Sequence, residues 1–219
     1  MKPFDGSFFD EDYFQKGRET GKSWFSHHHW MPQRSLKEGL AFIDYLGLDD
    51  TSYVLDFGCS MGFLVKALRI LEIKADGCDI SDYALSFAPE GCWNCSDENV
   101  VAMYAEKKYT HIIIKDVLEH LTDPLEQVKI WVKKLKVNGV AWIELPDSGC
   151  SNCLVNPKAK ELGVPDQLLW EPHMIPYEHI YYYTQDHVRK LFTTCGCVCL
   201  MSENWLTTDR MRLVFKRIF

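Results

Sequence analysis

From Tyr53 onward, short apolar runs alternate with segments of helical period, joined by brief turns, and this alternation constrains the fold more than any other feature of the chain. Tyr53–Phe57 reads as a short buried strand. Phe63, Leu64, Ala67, Leu68 and Leu71 then recur at helical spacing. Ile73–Ile80 is expected as a second strand, with Ser81 capping a short helix after it. A weak third strand falls near Cys92–Cys95, and Thr110–Lys115 forms a fourth around Ile112, Ile113 and Ile114. Asp123-Pro124-Leu125-Glu126 supplies an N-cap, a proline at the first helical position and a capping-box glutamate. That helix is expected to run through Leu125, Val128, Val132 and Leu135 and to stop at Asn138-Gly139. Val140–Leu145 is a fifth strand. A helix from Thr184, with Val188, Leu191, Phe192 and Cys195 on one face, leads to final strands near Cys197–Ser202 and Leu213–Lys216. Alternation of this kind implies an α/β fold with a doubly wound, mostly parallel sheet.

Two segments depart from the pattern. Residues 1–48 are aromatic-rich without a convincing strand, and Leu36, Leu40, Ile43 and Leu46-Gly47 predict a helix closed by a glycine. They are expected to form an N-terminal helical cap on a domain spanning 49–219. Residues 146–183, rich in Pro, Trp, Tyr and His, form a long irregular insertion at the carboxyl edge of the sheet. Insertions placed there are usually functional, and this one is expected to be a substrate lid.

The formal charge of −7 argues against a broad phosphate-binding surface. No apolar run approaches the roughly 18 residues that cross a bilayer. The opening MKPFDGSFFDEDYF is acidic and broken by Pro3 and Gly6, unlike a signal peptide. With nine cysteines, the chain is therefore expected to carry reduced thiols in the cytoplasm. Cys92/Cys95 and Cys150/Cys153 form two C-x-x-C pairs, separated far beyond the roughly 15–20 residues of a zinc ribbon. No metal is assigned to them. Cys195, Cys197 and Cys199 alternate, as thiols on one face of a strand would.

The stretch VLDFGCSMGFLVKAL, residues 54–68, admits two readings. Gly58-Cys59-Ser60-Met61-Gly62 spells G-x-S-x-G, the elbow of a serine esterase, with Asp147 and His173 as conceivable triad partners. That elbow normally follows several strands, and none precedes it here. A dinucleotide fingerprint fails because Ser60 and Phe63 occupy its second and third glycine positions, and Gly21-Lys22-Ser23 lacks the rest of a P-loop. What remains is Asp56 at the end of a strand, a Gly58–Gly62 turn opening a helix, and Asp79 ending the next strand in Gly77-Cys78-Asp79-Ile80-Ser81. A helix N-terminus there offers backbone N–H groups to an anion, and Asp79 is placed to hold ribose hydroxyls.

Together these residues resemble the class I S-adenosylmethionine-dependent methyltransferases. Lys115-Asp116-Val117-Leu118-Glu119-His120-Leu121 is similar to the D-V-L-E-H segment ending strand four in many small-molecule members. Tyr177-Glu178-His179-Ile180-Tyr181-Tyr182-Tyr183-Thr184 is similar to their E-H-x-x-x-[FY]-[ST] segment, and Cys195-Gly196-Cys197 stands where they often have A-G-F. The match covers residues 53–217. It implies a seven-stranded Rossmann-like sheet of order 3-2-1-4-5-7-6, with S-adenosyl-L-methionine as cofactor and S-adenosyl-L-homocysteine as product. In that order four spacings of about 4.8 Å, roughly 19 Å, part the third and fifth strands, which keeps the two C-x-x-C pairs from sharing one metal.

By the same resemblance, Gly58, Cys59, Ser60, Met61 and Gly62 wrap the methionine part of the cofactor. Asp79 and Ile80 take the ribose, Asp97 the adenine amino group, and Asp116 and Val117 border the sulfonium. Trp30, Tyr13 and Phe14 are placed to close over it from the cap. Base methyltransferases carry Asn/Asp-Pro-Pro-aromatic or Pro-Cys at the end of strand four. This chain does not, so the expected reaction is O- or C-methylation of a small metabolite, sugar or nucleotide-linked precursor, without nucleic-acid or membrane partners. A macromolecular or nucleotide acceptor is the alternative, ahead of the esterase and a non-catalytic cofactor-binding module. His120 or His179 is the expected base, with Glu119 or Glu178 orienting it. Two or three histidines with a carboxylate could instead hold a divalent metal.

Overall fold

The structure, a computed structural model, describes residues 9–16, 31–98, 105–149, 179–204 and 210–219. Seven strands form one sheet: β1 (Tyr53–Phe57), β2 (Lys74–Asp79), β3 (Cys92–Asn94), β4 (Tyr109–Lys115), β5 (Leu135–Pro146), β6 (Cys197–Asn204) and β7 (Arg210–Arg217). Their order is β3-β2-β1-β4-β5-β7-β6, as the resemblance implies. β1, β2 and β3 pair parallel, whereas β7 runs antiparallel to both β5 and β6. The helices are α1 (Glu11–Lys16), α2 (Met31–Leu46), α3 (Phe63–Ile70), α4 (Asp82–Leu85), α5 (Pro124–Lys134) and α6 (Gln185–Thr194). Among the described residues no helix is long and apolar enough to cross a membrane. The chain divides into two compact units, residues 1–113 and 114–219.

In the first unit, β1 and β2 bury Val54, Leu55, Ala75 and Cys78, and α3 lays Leu64, Val65, Ala67 and Leu68 onto them. α2 ends at Gly47, whose φ of +62° is the left-handed closure that a glycine adopts without penalty. Ser35, Gly39 and Phe42 turn inward while Leu40 is exposed. A Cβ on Gly39 would stand 3.0 Å from Leu71 Cδ1, so glycine allows α2 to approach α3 closely. Asp76 is buried at 6% exposure. It is neutralised by Lys107 Nζ at 2.8 Å and Arg69 Nη2 at 3.6 Å, with hydroxyl donors Tyr53 at 2.5 Å and Tyr109 at 3.1 Å.

In the second unit, Asp123 caps α5 by accepting from Glu126 N at 3.2 Å. The helix stops at Lys134, short of the expected Asn138-Gly139, because Leu135 is already extended at φ −71°, ψ 142°. Leu135 fits the helical period, but Arg217 Nη1 donates to the carbonyls of Val132 at 3.0 Å and Leu135 at 2.5 Å and so satisfies the helix end there. Thr184 caps α6 in a reciprocal pair with His187: His187 N donates to Thr184 Oγ1 at 3.4 Å and Thr184 N to His187 Nδ1 at 3.3 Å. Cys195 closes α6 and lies off β6, so only Cys197 and Cys199 share the inward side of that strand.

Candidate active site

The turn after β1 is built from three left-handed residues, Gly58 at φ +80°, Ser60 at +49° and Gly62 at +67°. Gly58 N and Cys59 N both donate to Cys78 O on β2, at 2.8 and 3.0 Å, and Gly62 N donates to Cys59 O at 2.9 Å. The turn is thereby bound to β2 and delivers the chain into α3, with Gly62 as its N-cap. Gly62 has no room for a side chain: a Cβ would meet Pro89 Cδ at 2.5 Å. Met61 is buried against Phe14 and Ala84, with Phe9, Tyr13, Phe63 and Tyr83 around them. α1 thus covers the turn through Phe14, and Ser81 fastens the segment by donating its hydroxyl to Phe9 O.

Asp79 ends β2 with one carboxylate oxygen accepting from Ser60 N at 2.8 Å and the other from Ser81 N at 2.9 Å. With Ile80 N–H bonded to it as well, one of the carboxylate's roughly four lone-pair sites is left for a ligand hydroxyl. Burial pushes the Asp79 carboxyl up, against hydrogen bonds from Ser81, Ser60 and Ile80 that pull it down. Asp56 is buried on β1 and Ile80 is half-buried, whereas Asp97 is exposed. Trp30 lies outside the described residues. Ser60 is engaged through its N–H in holding the turn to Asp79. The esterase partner His173 also lies outside the described residues.

The cysteines here belong to the wall behind the turn. Hydrogen bonding to Cys92, then burial, raises the Cys59 thiol, and burial, then Cys95, raises that of Cys78. Cys92 and Cys95 therefore turn toward separate partners, all of them free thiols. Cys150 and Cys153 lie outside the described residues.

A second group of candidate residues lies in the second unit. Asp116 follows β4 at φ +53°, a left-handed conformation that aspartate tolerates better than most side chains. Its N–H donates to Glu144 O at 2.9 Å, and its carboxylate pairs with Arg210. Glu144, nearly buried, accepts from Arg210 Nε at 3.2 Å and Arg212 Nε at 3.0 Å. This Asp116–Arg210–Glu144–Arg212 chain was not foreseen, because its members lie far apart in sequence and no local spacing marks them. Val117 opens a single 3-10 turn, Leu118–His120, with His120 N donating to Val117 O at 3.0 Å.

That turn buries Glu119 at 2% exposure, and neither of its carboxylate oxygens has a hydrogen-bond partner among the described residues. Burial first, then the negative charge of Asp116, pushes this carboxyl up to about 8. The backbone brings the late segment to the same place: Ile180 N and Tyr181 N donate to Glu119 O at 2.8 and 3.2 Å. His179, 9% exposed, consequently meets His120 edge-on with ring centroids 4.9 Å apart. Ligand atoms of Glu119, His120 and His179 all fall within 4.8 Å of one another. Tyr183 is buried with its hydroxyl lacking a hydrogen-bond partner among the described residues, and burial, Tyr181 and Glu119 raise that hydroxyl. Thus the three residues expected to do chemistry converge, while Glu178 lies outside the described residues.

The seven-stranded order, with strand-end acids and a glycine turn at β1, defines a Rossmann-like methyltransferase fold. A family model described as a methyltransferase domain matches residues 27–201, and the chain belongs to that family, that of the S-adenosyl-L-methionine-dependent methyltransferases. No curated protein sequence matches the chain. Among solved structures, it is similar to magnesium protoporphyrin IX methyltransferase (ChlM) from Synechocystis PCC 6803 with bound SAH. The TM-score is 0.61 at 16% identity, over 97% of this chain and 100% of that one. An S-adenosylmethionine-dependent methyltransferase from Clostridium acetobutylicum ATCC 824 gives 0.62 at 15% identity, over 89% and 98%. The [4+2]-cyclase SpnF gives 0.60 at 12% identity, over 84% and 80%. At such identities these likenesses show the shared fold.

Proposed function

We propose that this protein transfers the methyl group of S-adenosyl-L-methionine to an oxygen or carbon of a small acceptor. The observation that carries this reading is the convergence of Glu119, His120 and His179 in a family whose donor needs only a positioned nucleophile. The acceptor attacks the methyl carbon in line, the C–S bond breaks toward sulfur, and the acceptor's proton must leave. His120 and His179 are the groups through which an acceptor O–H or C–H is activated. Gly58, Cys59, Ser60, Met61 and Gly62 hold the methionine part, Asp79 and Ile80 the ribose, and Asp56, Asp97, Asp116, Val117 and Trp30 complete the cofactor set. Residues 1–48 are assigned as a cap and 146–183 as the acceptor lid, of which 1–8, 17–30 and 150–178 lie outside the described residues.

A small acceptor is favoured over a macromolecule by the net charge of −7 and by strand-four residues unlike those of base methyltransferases. The porphyrin methyltransferase among the similar structures is compatible with that choice, and the cyclase is a reminder that this fold serves other chemistry. The test is incubation with donor labelled in its methyl group and a fractionated cell extract. Label in the small-molecule fraction is expected. Label confined to protein or nucleic acid would overturn the small-acceptor reading.

A further inference from the structure

We propose that Glu119, His120 and His179 bind one divalent transition cation of the Zn2+ class, which receives the acceptor's hydroxyl oxygen. Three observations lead there. The donor atoms of the three side chains already lie within 4.8 Å of one another. An ion about 2.1 Å from each would hold them roughly 3–3.5 Å apart, a contraction that side-chain rotation supplies. Glu119 is almost wholly buried with both oxygens unpartnered among the described residues, and a buried carboxylate in that state needs either a proton or a cation. The two segments bearing the ligands are fastened to each other by main-chain bonds, Ile180 N and Tyr181 N to Glu119 O, so the ligand set is assembled before any ion arrives.

The donor set selects the metal. Two imidazole nitrogens with one carboxylate suit Zn2+ and its first-row neighbours, whereas Mg2+ and Ca2+ favour shells of oxygen. Three protein ligands leave at least one position open, the arrangement of a catalytic centre and not of a closed structural one. In that position a hydroxyl loses its proton more readily, because the cation stabilises the alkoxide or phenolate. The oxygen lone pair then forms the new O–CH3 bond, the electrons of the S–CH3 bond pass to sulfur, and the proton goes to solvent. The imidazoles serve as ligands in this scheme, and the acceptor class narrows to hydroxyl compounds. The consequence for methyl transfer rests on the function proposed above, whereas the binding itself does not.

The experiment uses the full chain, stripped with a chelator and titrated with Co2+ as a spectroscopic probe and with Zn2+ by calorimetry. Expected are one equivalent per chain, visible d–d absorption from bound Co2+, and at least a tenfold loss of affinity in His120→Gln and in His179→Gln. Glu119→Gln keeps the shape of the buried side chain and should also lose the ion. Binding of S-adenosylhomocysteine, measured on the same variants, reports that they remain folded. No stoichiometric uptake by the wild-type chain, or uptake unchanged in the histidine variants, would overturn the proposal. Cation uptake without any methyl transfer would instead overturn the proposed function alone. Methyl transfer unaffected by chelation would overturn the cation's role while leaving that function standing.

Discussion

Gly62→Ala is expected to damage the protein more than its one added methyl group would suggest. Gly62 sits at φ +67°, where an L-residue costs roughly 1–2 kcal/mol more than glycine. The new Cβ would also stand 2.5 Å from Pro89 Cδ and 3.2 Å from both Ala88 Cβ and Cys92 Sγ. The proline ring is tied to the backbone and does not swing aside as a long side chain would, so the turn or the Pro89 segment must shift. Overpacking of that kind costs about 1–3 kcal/mol. The two effects together give about 2–5 kcal/mol, a fall in Tm of roughly 4–20 °C for a chain of this size. Gly47→Ala is the internal control, since Gly47 has φ +62° but nothing within 4 Å of an added Cβ, and it should show the backbone cost alone. Chemical denaturation of both variants separates the effects. If Gly62→Ala proves no more destabilising than Gly47→Ala, the packing described for the turn is wrong.

Asp79→Ala should weaken S-adenosylhomocysteine binding by roughly 2–4 kcal/mol, because charge-assisted hydrogen bonds are lost and the turn loses its anchor at Ser60 N; calorimetry with unchanged affinity would remove Asp79 from the site. Ser60→Ala should keep affinity within about tenfold, as one neutral hydrogen bond is worth about 1 kcal/mol, and a fluorophosphonate probe should leave the native serine unlabelled. His111 is held below the ordinary histidine value chiefly by burial, so the unfolded chain binds the extra proton first as pH falls. Its contribution to stability should therefore be present above about pH 6.5 and be lost as the pH drops below that value. His111→Gln should flatten the corresponding slope in denaturation midpoints, and an identical slope in the variant would refute the assignment.

Local chemistry made much of this molecule readable in advance. β1, the cap at Ser81, the Asp123-Pro124 start of α5 and the Thr184 start of α6 are each written in a few adjacent residues, and each stands where expected. The sheet order followed from the family resemblance. Features decided by distant partners were not legible. The end of α5 depends on Arg217, more than eighty residues downstream, which overrides the helical period that Leu135 continues. The pairing of Asp116 with Arg210, and the burial of Asp76 among Lys107, Tyr53 and Tyr109, likewise arise only once the strands are assembled. At the site, His120 and His179 could be named from their segments, but the burial of the Glu119 carboxylate beside them, without a hydrogen-bond partner among the described residues, is visible only in three dimensions.

The most direct test of the central claim is calorimetric titration of the purified full chain with S-adenosylhomocysteine. The turn at Gly58–Gly62 and the carboxylate of Asp79 predict saturable binding of one molecule per chain, with S-adenosylmethionine competing for the same site. Absence of saturable binding in a folded preparation, or binding that survives both Gly62→Ala and Asp79→Ala unchanged, would contradict it.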